Sequence, residues 1–298
     1  MDTNQKEFNI KKLISNYSIE TTPQVYLKYG GFHEFLTNHN DIYVTFLPNE
    51  NSKNVIQTCK KINEEGLNAI PHLPARNIEN NEELNTFIAS LSEIAGCKKI
   101  LLIAGSGKKK GSIGSSIEVL ETGFLSKYNF VQVGVAGHPD GSIDISKKEL
   151  DDAIISKNKI AKDVDYKIYI VTQFFFEIAS FIKWEKHINK IGNQLDIHAG
   201  IPGPATLKTL ISYAKSCGIS NSIRFLSKQA FNLSKLATTN CPDKLITELS
   251  IYKDENSLTK LKKIHMYPFG GIKKTSNWIN SINNSTLKFN SKNEFTII

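Results

Sequence analysis

The sequence has little cysteine and no long hydrophobic run. Its four cysteines are widely spaced, at Cys59, Cys97, Cys217 and Cys241. This spacing fits neither a zinc site, which needs close pairs of ligands, nor a disulfide framework. No apolar run approaches the roughly 18 residues that cross a bilayer, and the first residues lead into no signal-peptide core. We therefore expect a cytoplasmic protein with no membrane segment and no metal site.

Common phosphate-binding and nucleic-acid-binding motifs are also missing. The segment GSGKKKGS at 105–112 has neither the spacing of a Walker loop nor the GxGxxG arrangement of a dinucleotide-binding turn. The chain carries 37 basic and 29 acidic residues, a formal charge of +8, but its lysines are spread along the whole sequence. No alternation of aromatic and basic residues accompanies them. We attribute the charge to a lysine-rich composition and expect no nucleic-acid partner.

What the sequence does contain is a regular alternation of short β-branched runs and amphipathic segments. We predict strands at 17–20, 43–46, 67–72, 99–103, 130–136, 167–173, 195–199 and 264–267. We predict helices at 52–66, 81–96, 147–160 and 206–218, and extra helices at 221–233 and 241–251. This alternation predicts an α/β protein with a parallel sheet, and the eight strands can close a (β/α)8 TIM barrel. A doubly wound open sheet is the alternative.

The domain organisation follows from the absence of a linker. No Pro-, Gly- or Ser-rich stretch divides the chain, and no short-period repeat is present. We therefore expect a single domain over 1–298, with its core at about 17–283.

The segment KIYIVTQFFFE at 167–177 is the most informative for function. Its β-branched residues predict a buried parallel strand, which ends at the polar amide of Gln173. Ligands of parallel α/β folds collect at the carboxyl ends of the strands, so Gln173 is placed to hold the heterocycle of a ligand. A purely structural role at the strand end is the alternative.

Three segments together resemble one enzyme family. TQFFFE at 172–177 and HAGIPGPATLK at 198–208 resemble a pair of segments in methylenetetrahydrofolate reductases, and KIHMYPFGGIKKTSNWI at 263–279 resembles the end of their catalytic domain. The resemblance covers most of 18–278 and implies the catalytic barrel alone. It implies interconversion of methylenetetrahydrofolate and methyltetrahydrofolate, with NADH or NADPH as the hydride source and FAD as the cofactor, in one-carbon metabolism and methionine biosynthesis.

The resemblance assigns roles to two residues at the substrate. SIETTP at 18–23 resembles the family segment that holds a catalytic glutamate, which makes Glu20 the candidate general acid. A partly desolvated carboxyl at a barrel mouth is expected to have a raised pKa and to donate a proton to a folate nitrogen. Gln173 matches the glutamine that bonds the pterin ring in the family, and an amide can donate and accept at once.

The residues that align with the family's cofactor contacts match the family less completely. His72 is the histidine of a strand-end Pro-His motif, which contacts flavin in flavin-containing members of the family, and Arg76 could face a phosphate or carboxylate. Gly105 and Ser106 stand where the family has an Arg-Gly-Asp or similar sequence, so Ser106 replaces an aspartate. His138 occupies a tyrosine position in the fifth-strand motif, and a second His-Pro of that motif is absent.

These departures keep more than one function open. FAD remains slightly favoured, but direct transfer from the nicotinamide to the folate is an alternative, and so is a non-redox folate-binding or corrinoid-linked methyl-transfer module.

Two further substrate contacts are expected. One is Leu207, near a family phenylalanine, and the other is Arg224, which we expect to open a helix and meet a folate glutamate. A homo-oligomer is compatible with the sequence.

Overall fold

The computed structural model describes residues 2–37, 40–47, 50–105, 107–229 and 236–298. Eight parallel strands close into a barrel in the order β1-β8-β7-β6-β5-β4-β3-β2. They are β1 (Ser18–Thr21), β2 (Asp41–Val44), β3 (Asn68–Pro74), β4 (Lys99–Ile103), β5 (Gln132–Gly137), β6 (Lys167–Thr172), β7 (Asp196–Pro202) and β8 (Leu261–Tyr267). The predicted (β/α)8 barrel is confirmed, and the open sheet is excluded because β1 pairs with both β2 and β8.

Helices lie between the strands and around both chain ends. They are α1 (Thr3–Ile14), α2 (Pro23–Tyr29), α3 (Ser52–Glu64), α4 (Asn81–Glu93), α5 (Ser116–Glu121), α6 (Phe124–Lys127), α7 (Lys147–Ile160), α8 (Ile178–Lys190), α9 (Leu207–Ser216), α10 (Ser220–Gln229), α11 (Asp243–Glu255) and α12 (Ile272–Asn284), with a 3-10 turn at Ala75–Asn77. The extra helices predicted between β7 and β8 are α10 and α11. Part of the first prediction, 230–233, lies outside the described residues. No described helix is long and apolar enough to cross a membrane.

Alternation along each strand separates an outer core from the barrel interior. In β6, Ile168 and Ile170 belong to the large cluster between the strands and the helices, whereas Tyr169 and Val171 belong to a small interior cluster. This is the two-residue period of a strand buried on both faces. The run IYIV at 168–171 is therefore buried throughout, although its two faces pack in different surroundings.

Both chain ends pack into the same outer core. Ile10 and Ile14 of α1, and Leu287 and Phe295 of an antiparallel hairpin formed by Leu287–Phe289 and Phe295–Ile297, are buried in that cluster. The chain is therefore a single domain whose core extends beyond the predicted limits of about 17 and 283.

The amino-terminal end of the barrel is closed by a charged cluster. Asp41 binds Lys99 at 2.8 Å and Lys263 at 2.6 Å, and the side chains of Asp41 and Lys263 are each 9% exposed. Burial alone would raise the pKa of Asp41, but the charges of the two lysines lower it below the ordinary value. The stabilisation from this carboxylate is therefore present above the pKa of an unfolded aspartate and is lost as the pH falls through the lower folded value.

Replacing the hub of this cluster should destabilise the barrel. Asp41→Asn leaves the buried Lys263 without its counter-charge, so we expect the free energy of unfolding to fall by about 3 kcal/mol. Denaturant unfolding measures it. Asp196→Asn is the matched control, since its partner Lys167 is 59% exposed, and it should cost at most about 1 kcal/mol. Equal losses in the two variants would contradict this account.

Candidate active site

Three polar side chains meet at the carboxyl-terminal mouth of the barrel. Glu20 comes from β1, His72 from β3 and His265 from β8. His265 Nε2 lies 3.2 Å from Glu20 Oε1 in a hydrogen bond, and His72 Nε2 lies 3.4 Å from the same oxygen. The Glu20 side chain is 14% exposed and that of His265 is fully buried. Glu20 and His72 are predicted site residues, which lie close together because β1 and β3 both pair with β2, while barrel closure adds His265.

His265 is oriented by a second partner below it. Ser18 Oγ lies 3.0 Å from His265 Nδ1. With Nε2–H donated to Glu20, Nδ1 accepts the Ser18 hydroxyl hydrogen, and burial lowers the pKa of His265, which favours this neutral form. The order Ser-His-Glu resembles a nucleophilic triad, but Ser18 is fully buried. We therefore assign Ser18 to fixing the imidazole rather than to attack on a substrate.

The surroundings of Glu20 correct one expectation from the sequence. Burial acts to raise the pKa of Glu20, but the hydrogen bond from His265 and the close approach of His72 outweigh it and lower the pKa to about 2. The predicted raised pKa is therefore wrong. It considered only desolvation of Glu20, whereas the two neighbouring histidines stabilise the ionised form of the carboxyl group. The other carboxylate oxygen, Oε2, makes no hydrogen bond to any described residue.

Aromatic rings pack around the two histidines. The Tyr43 ring stands edge-on to His265 at 4.5 Å and to His72 at 6.0 Å between ring centroids, and its hydroxyl bonds that of Tyr169 at 2.8 Å. Tyr267 packs against His265 at 4.9 Å and donates its hydroxyl to Thr172 O at 2.9 Å. Tyr43 thus restricts the orientation of both imidazoles, and Tyr267 further restricts that of His265.

Comparison with known proteins identifies the family. The family described as methylenetetrahydrofolate reductase matches residues 39–230, which is most of the chain. The chain belongs to this family. The match includes β2 to β7 and ends before β8, so the reductase-family match contains His72 and Gln173 but neither Glu20 nor His265.

Two solved structures show weak similarity to this member of the reductase family. A deoxyribose phosphate aldolase from Aeropyrum pernix, described as having a unique tetrameric structure, is 10% identical with a TM-score of 0.41, covering 95% of this chain and 100% of that chain. A glycoside hydrolase family 30 subfamily 8 xylanase, Xyn30A, from Clostridium acetobutylicum is 8% identical with a TM-score of 0.41, covering 93% and 72%. We draw no conclusion from similarities of this size.

Gln173 lies at the same end of the barrel, immediately after β6. Its backbone N–H donates to Gly137 O at 2.7 Å, and its side-chain Oε1 accepts from Phe174 N at 3.1 Å. The side chain is half-buried, and its amide nitrogen donates to no described residue. Gln173 therefore keeps a donor for a ligand, and its predicted pterin contact stays a prediction.

The other two predicted substrate residues are placed differently from expectation. Leu207 is 1% exposed and packs with Leu210 and Leu226 in an apolar cap over the ends of β6 to β8. It offers no surface to a ligand in this conformation. Arg224 is exposed on α10, which begins at Ser220, so Arg224 lies within the helix and does not open it.

Three residues predicted to contact a cofactor, Arg76, Gly105 and Ser106, follow β3 and β4 in the sequence. Arg76 is half-buried, and its backbone N–H donates to Ala104 O at 2.9 Å, which ties the two loops together. Gly105 has φ +86°, and a Cβ there would lie 2.9 Å from Pro74 Cβ, so only glycine fits. Ser106 lies outside the described residues. Their cofactor contacts remain predictions.

A buried lysine beside His138 was missed by the sequence reasoning. Lys157 of α7 is 5% exposed and donates to Ala136 O at 3.0 Å. Burial lowers its pKa to about 8. Burial also lowers the pKa of His138 to about 4, with a smaller contribution from the charge of Lys157. At neutral pH the carboxyl end of β5 therefore has a neutral imidazole near a buried lysine that remains mostly protonated.

Two other missed residues, Ser18 and His265, had a signal in the sequence. Polar residues recur at every second position in β1, at Ser18 and Glu20, and in β8, at Lys263, His265 and Tyr267. A two-residue period places each set on one face of its strand. Polar residues on the inward face of a barrel are unusual and mark candidate site positions.

Removing the Ser18 hydroxyl tests its proposed role in orienting His265. In Ser18→Ala the Nδ1 atom loses its donor, so we expect a changed tautomer ratio for His265 in nitrogen-15 NMR of labelled histidine. The expected loss of stability is about 1 kcal/mol. Ser250→Ala removes another buried serine hydroxyl, which bonds Thr247 O, and should leave the histidine spectrum unchanged. An unaltered His265 signal in Ser18→Ala would refute the assignment.

Proposed function

We propose that the protein interconverts methylenetetrahydrofolate and methyltetrahydrofolate, with NADH or NADPH as the hydride source and FAD as the bound cofactor. The observation that carries the proposal is that this member of the family has, at one barrel mouth, an amide and a carboxylate that bonds one imidazole and lies close to a second. The proposed location is the cytoplasm.

The residues of the mouth suit a folate. The free Nε2 of Gln173 can donate to a pterin carbonyl, while its Oε1 can accept from a pterin N–H. Glu20 lies three strands further around the barrel from β6 and presents its free Oε2 to the same space. A ligand that spans the mouth can therefore meet the amide at its ring and the carboxylate near the one-carbon unit.

The described residues also fit a flavin dinucleotide. His72 Nε2 lies 3.4 Å from Glu20 Oε1 without a hydrogen bond, and the Arg76 guanidinium makes no ion pair with a described residue. With Gly105 and His138, they offer ring donors and one cation at the ends of β3 to β5 for a ring system and its phosphates. A flavin bound there would supply hydride transfer chemistry.

Two sequence departures support an alternative without flavin. Ser106 brings no carboxylate after β4, and the fifth-strand motif is only half present. Direct transfer between nicotinamide and folate is therefore the second candidate. A non-redox folate module is the third.

The first experiment combines an absorbance spectrum of the purified protein with assays of NADH and NADPH oxidation in the presence of methylenetetrahydrofolate. We expect a flavin spectrum together with turnover. A colourless protein that turns over without added flavin would select direct transfer. No turnover with either nucleotide, with or without added FAD, would overturn the reductase proposal.

Gln173 provides a sharper test of the substrate assignment. Gln173→Leu removes both amide functions at about the same side-chain size, so we expect the KM for folate to rise by roughly tenfold or more, because a bound polar group is left unpaired. The KM for the nicotinamide nucleotide should change little. Gln194→Leu is the control, since Gln194 is exposed at the amino-terminal end of the barrel. An unchanged folate KM in Gln173→Leu would remove Gln173 from the site.

A further inference from the structure

A separate cavity lies at the amino-terminal end of the barrel, away from the mouth. It has a volume of about 650 Å³ and opens between the ends of α7 and α8, beside Lys167 and Asp196, the first residues of β6 and β7. The mouth begins where β6 ends, after Thr172. The strand from Lys167 to Thr172 is roughly 17 Å long. A molecule in this cavity would therefore leave the mouth free.

One wall of the cavity contains a buried hydroxyl group without a partner. Tyr166 is 5% exposed and lines the cavity, and its hydroxyl oxygen makes no hydrogen bond to a described residue. Burial, with a smaller effect from the charge of Asp165, raises the pKa of Tyr166 to about 12, so the hydroxyl keeps its proton and can donate it. Buried polar groups nearly always have a partner, because an unpaired one destabilises the fold. This hydroxyl therefore has a hydrogen bond to offer a ligand.

Two lysines at the rim carry charges that no described residue neutralises. Lys159 and Lys162 line the cavity and are exposed, and neither makes an ion pair or a side-chain hydrogen bond within the described part of the chain. The third lysine of the lining, Lys167, is paired with Asp196 at 2.5 Å. Three lysines and one aspartate give the lining a formal charge of +2. The cavity therefore attracts an anion.

Lysines near the end of a helix often serve only to cap its last carbonyl groups. At the end of α7, backbone N–H groups already do so. Ala161 N donates to Lys157 O at 3.0 Å. Lys162 N donates to Lys159 O at 3.1 Å. The ammonium groups of Lys159 and Lys162 are therefore not required as caps and can meet a ligand.

Apolar side chains form much of the remaining lining. Ile155 is 49% exposed although it is a large hydrophobic residue. Ile168, Ile191 and Leu195 line the same cavity. Ligand sites typically combine such walls with a few polar groups that fix the orientation of the ligand. An inorganic ion would leave these walls in water, whereas an organic ligand would cover them.

We propose that this cavity is a second ligand site, which binds a small organic anion with a carboxylate or phosphate group on an apolar body. Tyr166 donates its hydroxyl hydrogen to an oxygen of the ligand, and Lys159 and Lys162 supply the counter-charge. The isoleucine and leucine side chains cover the apolar body. The volume of about 650 Å³ suits a small molecule. The site is independent of the function proposed for the mouth.

Three probes of similar shape test the chemistry of the ligand. 2-Naphthoate, 2-naphthyl phosphate and the neutral 2-naphthamide share an apolar body and differ in charge. The readout is NMR of protein labelled with carbon-13 in its tyrosine rings, in which the Tyr166 signal is identified by its absence from Tyr166→Phe. We expect this signal to shift saturably with an anion and not with 2-naphthamide. The tighter of the two anions then distinguishes a carboxylate ligand from a phosphate ligand.

Variants assign the contacts, with the affinity of the tighter anion measured by calorimetry. Tyr166→Phe should weaken binding by about tenfold or more, as expected for a lost hydrogen bond to a charged group. Its midpoint of thermal unfolding should not fall, because the hydroxyl has no partner in the described structure. The double variant Lys159→Gln and Lys162→Gln should weaken binding by about fivefold and reduce its dependence on salt.

Two matched controls lie outside the cavity. Tyr29→Phe removes a hydroxyl on α2, and Lys147→Gln removes a charge in the first turn of α7, at the opposite end of that helix from Lys159. Both should bind the anion as the unaltered protein does.

Several outcomes would overturn the inference. They are a shift of Tyr166 with none of the probes, an equal shift with 2-naphthamide, shifts confined to the tyrosines of the mouth, and an anion affinity that neither Tyr166→Phe nor the lysine variant lowers. None of these measurements needs turnover. Failure of this inference therefore leaves the reductase proposal in place, and absence of reductase turnover leaves this site in place.

Discussion

The pairing of β1 with β8 is the constraint on which both the barrel and its site depend. Its register places Ser18 opposite His265. That pairing closes the sheet, and the same two strands then put the imidazole between the Ser18 hydroxyl and the Glu20 carboxylate. Without closure, His265 would have no anchor and Glu20 would be a solvated carboxyl at a sheet edge. The fold and the electrostatics of the mouth therefore have one structural origin.

Burying polar groups inside a barrel destabilises the fold unless these groups bind each other. Here they bind in three layers along the barrel axis. Asp41 neutralises lysines at the amino-terminal end, the hydroxyls of Tyr43 and Tyr169 bond in the middle, and Glu20 meets imidazoles at the mouth. Each layer replaces water by a specific partner, as buried polar groups require. The polar pairs of the interior thus help to specify the fold, while the apolar cluster outside the strands, aliphatic and aromatic, supplies most of the hydrophobic burial.

The strands were predictable because each is a short β-branched run between amphipathic helices, and their number allowed closure into a barrel without excluding an open sheet. The site was predictable only in part. Glu20, His72 and Gln173 stand at strand ends, and strand ends of a parallel barrel converge. The contact between Glu20 and His265 joins residues 245 positions apart and depends on register, which periodicity does not specify. Because the sequence does not specify this contact, the pKa of Glu20 was predicted in the wrong direction. The burial of Leu207 was missed for a related reason, since the apolar cap over β6 to β8 assembles from several separate segments.

The separation of Glu20 and His265 along the chain also bears on how the protein is made. Synthesis proceeds from the amino-terminal end, so β1 to β7 leave the ribosome before β8 exists, and contacts of long sequence separation form late in folding. During that interval the residues on β3 to β6 can begin to assemble, but the Glu20 carboxylate has no imidazole from β8 beside it. The contact between the Glu20 carboxylate and the His265 imidazole thus forms only when the last strand is inserted. A nascent or truncated chain without β8 would lack the pair of Glu20 and His265, and the final step of barrel closure would also be the step that completes this cluster.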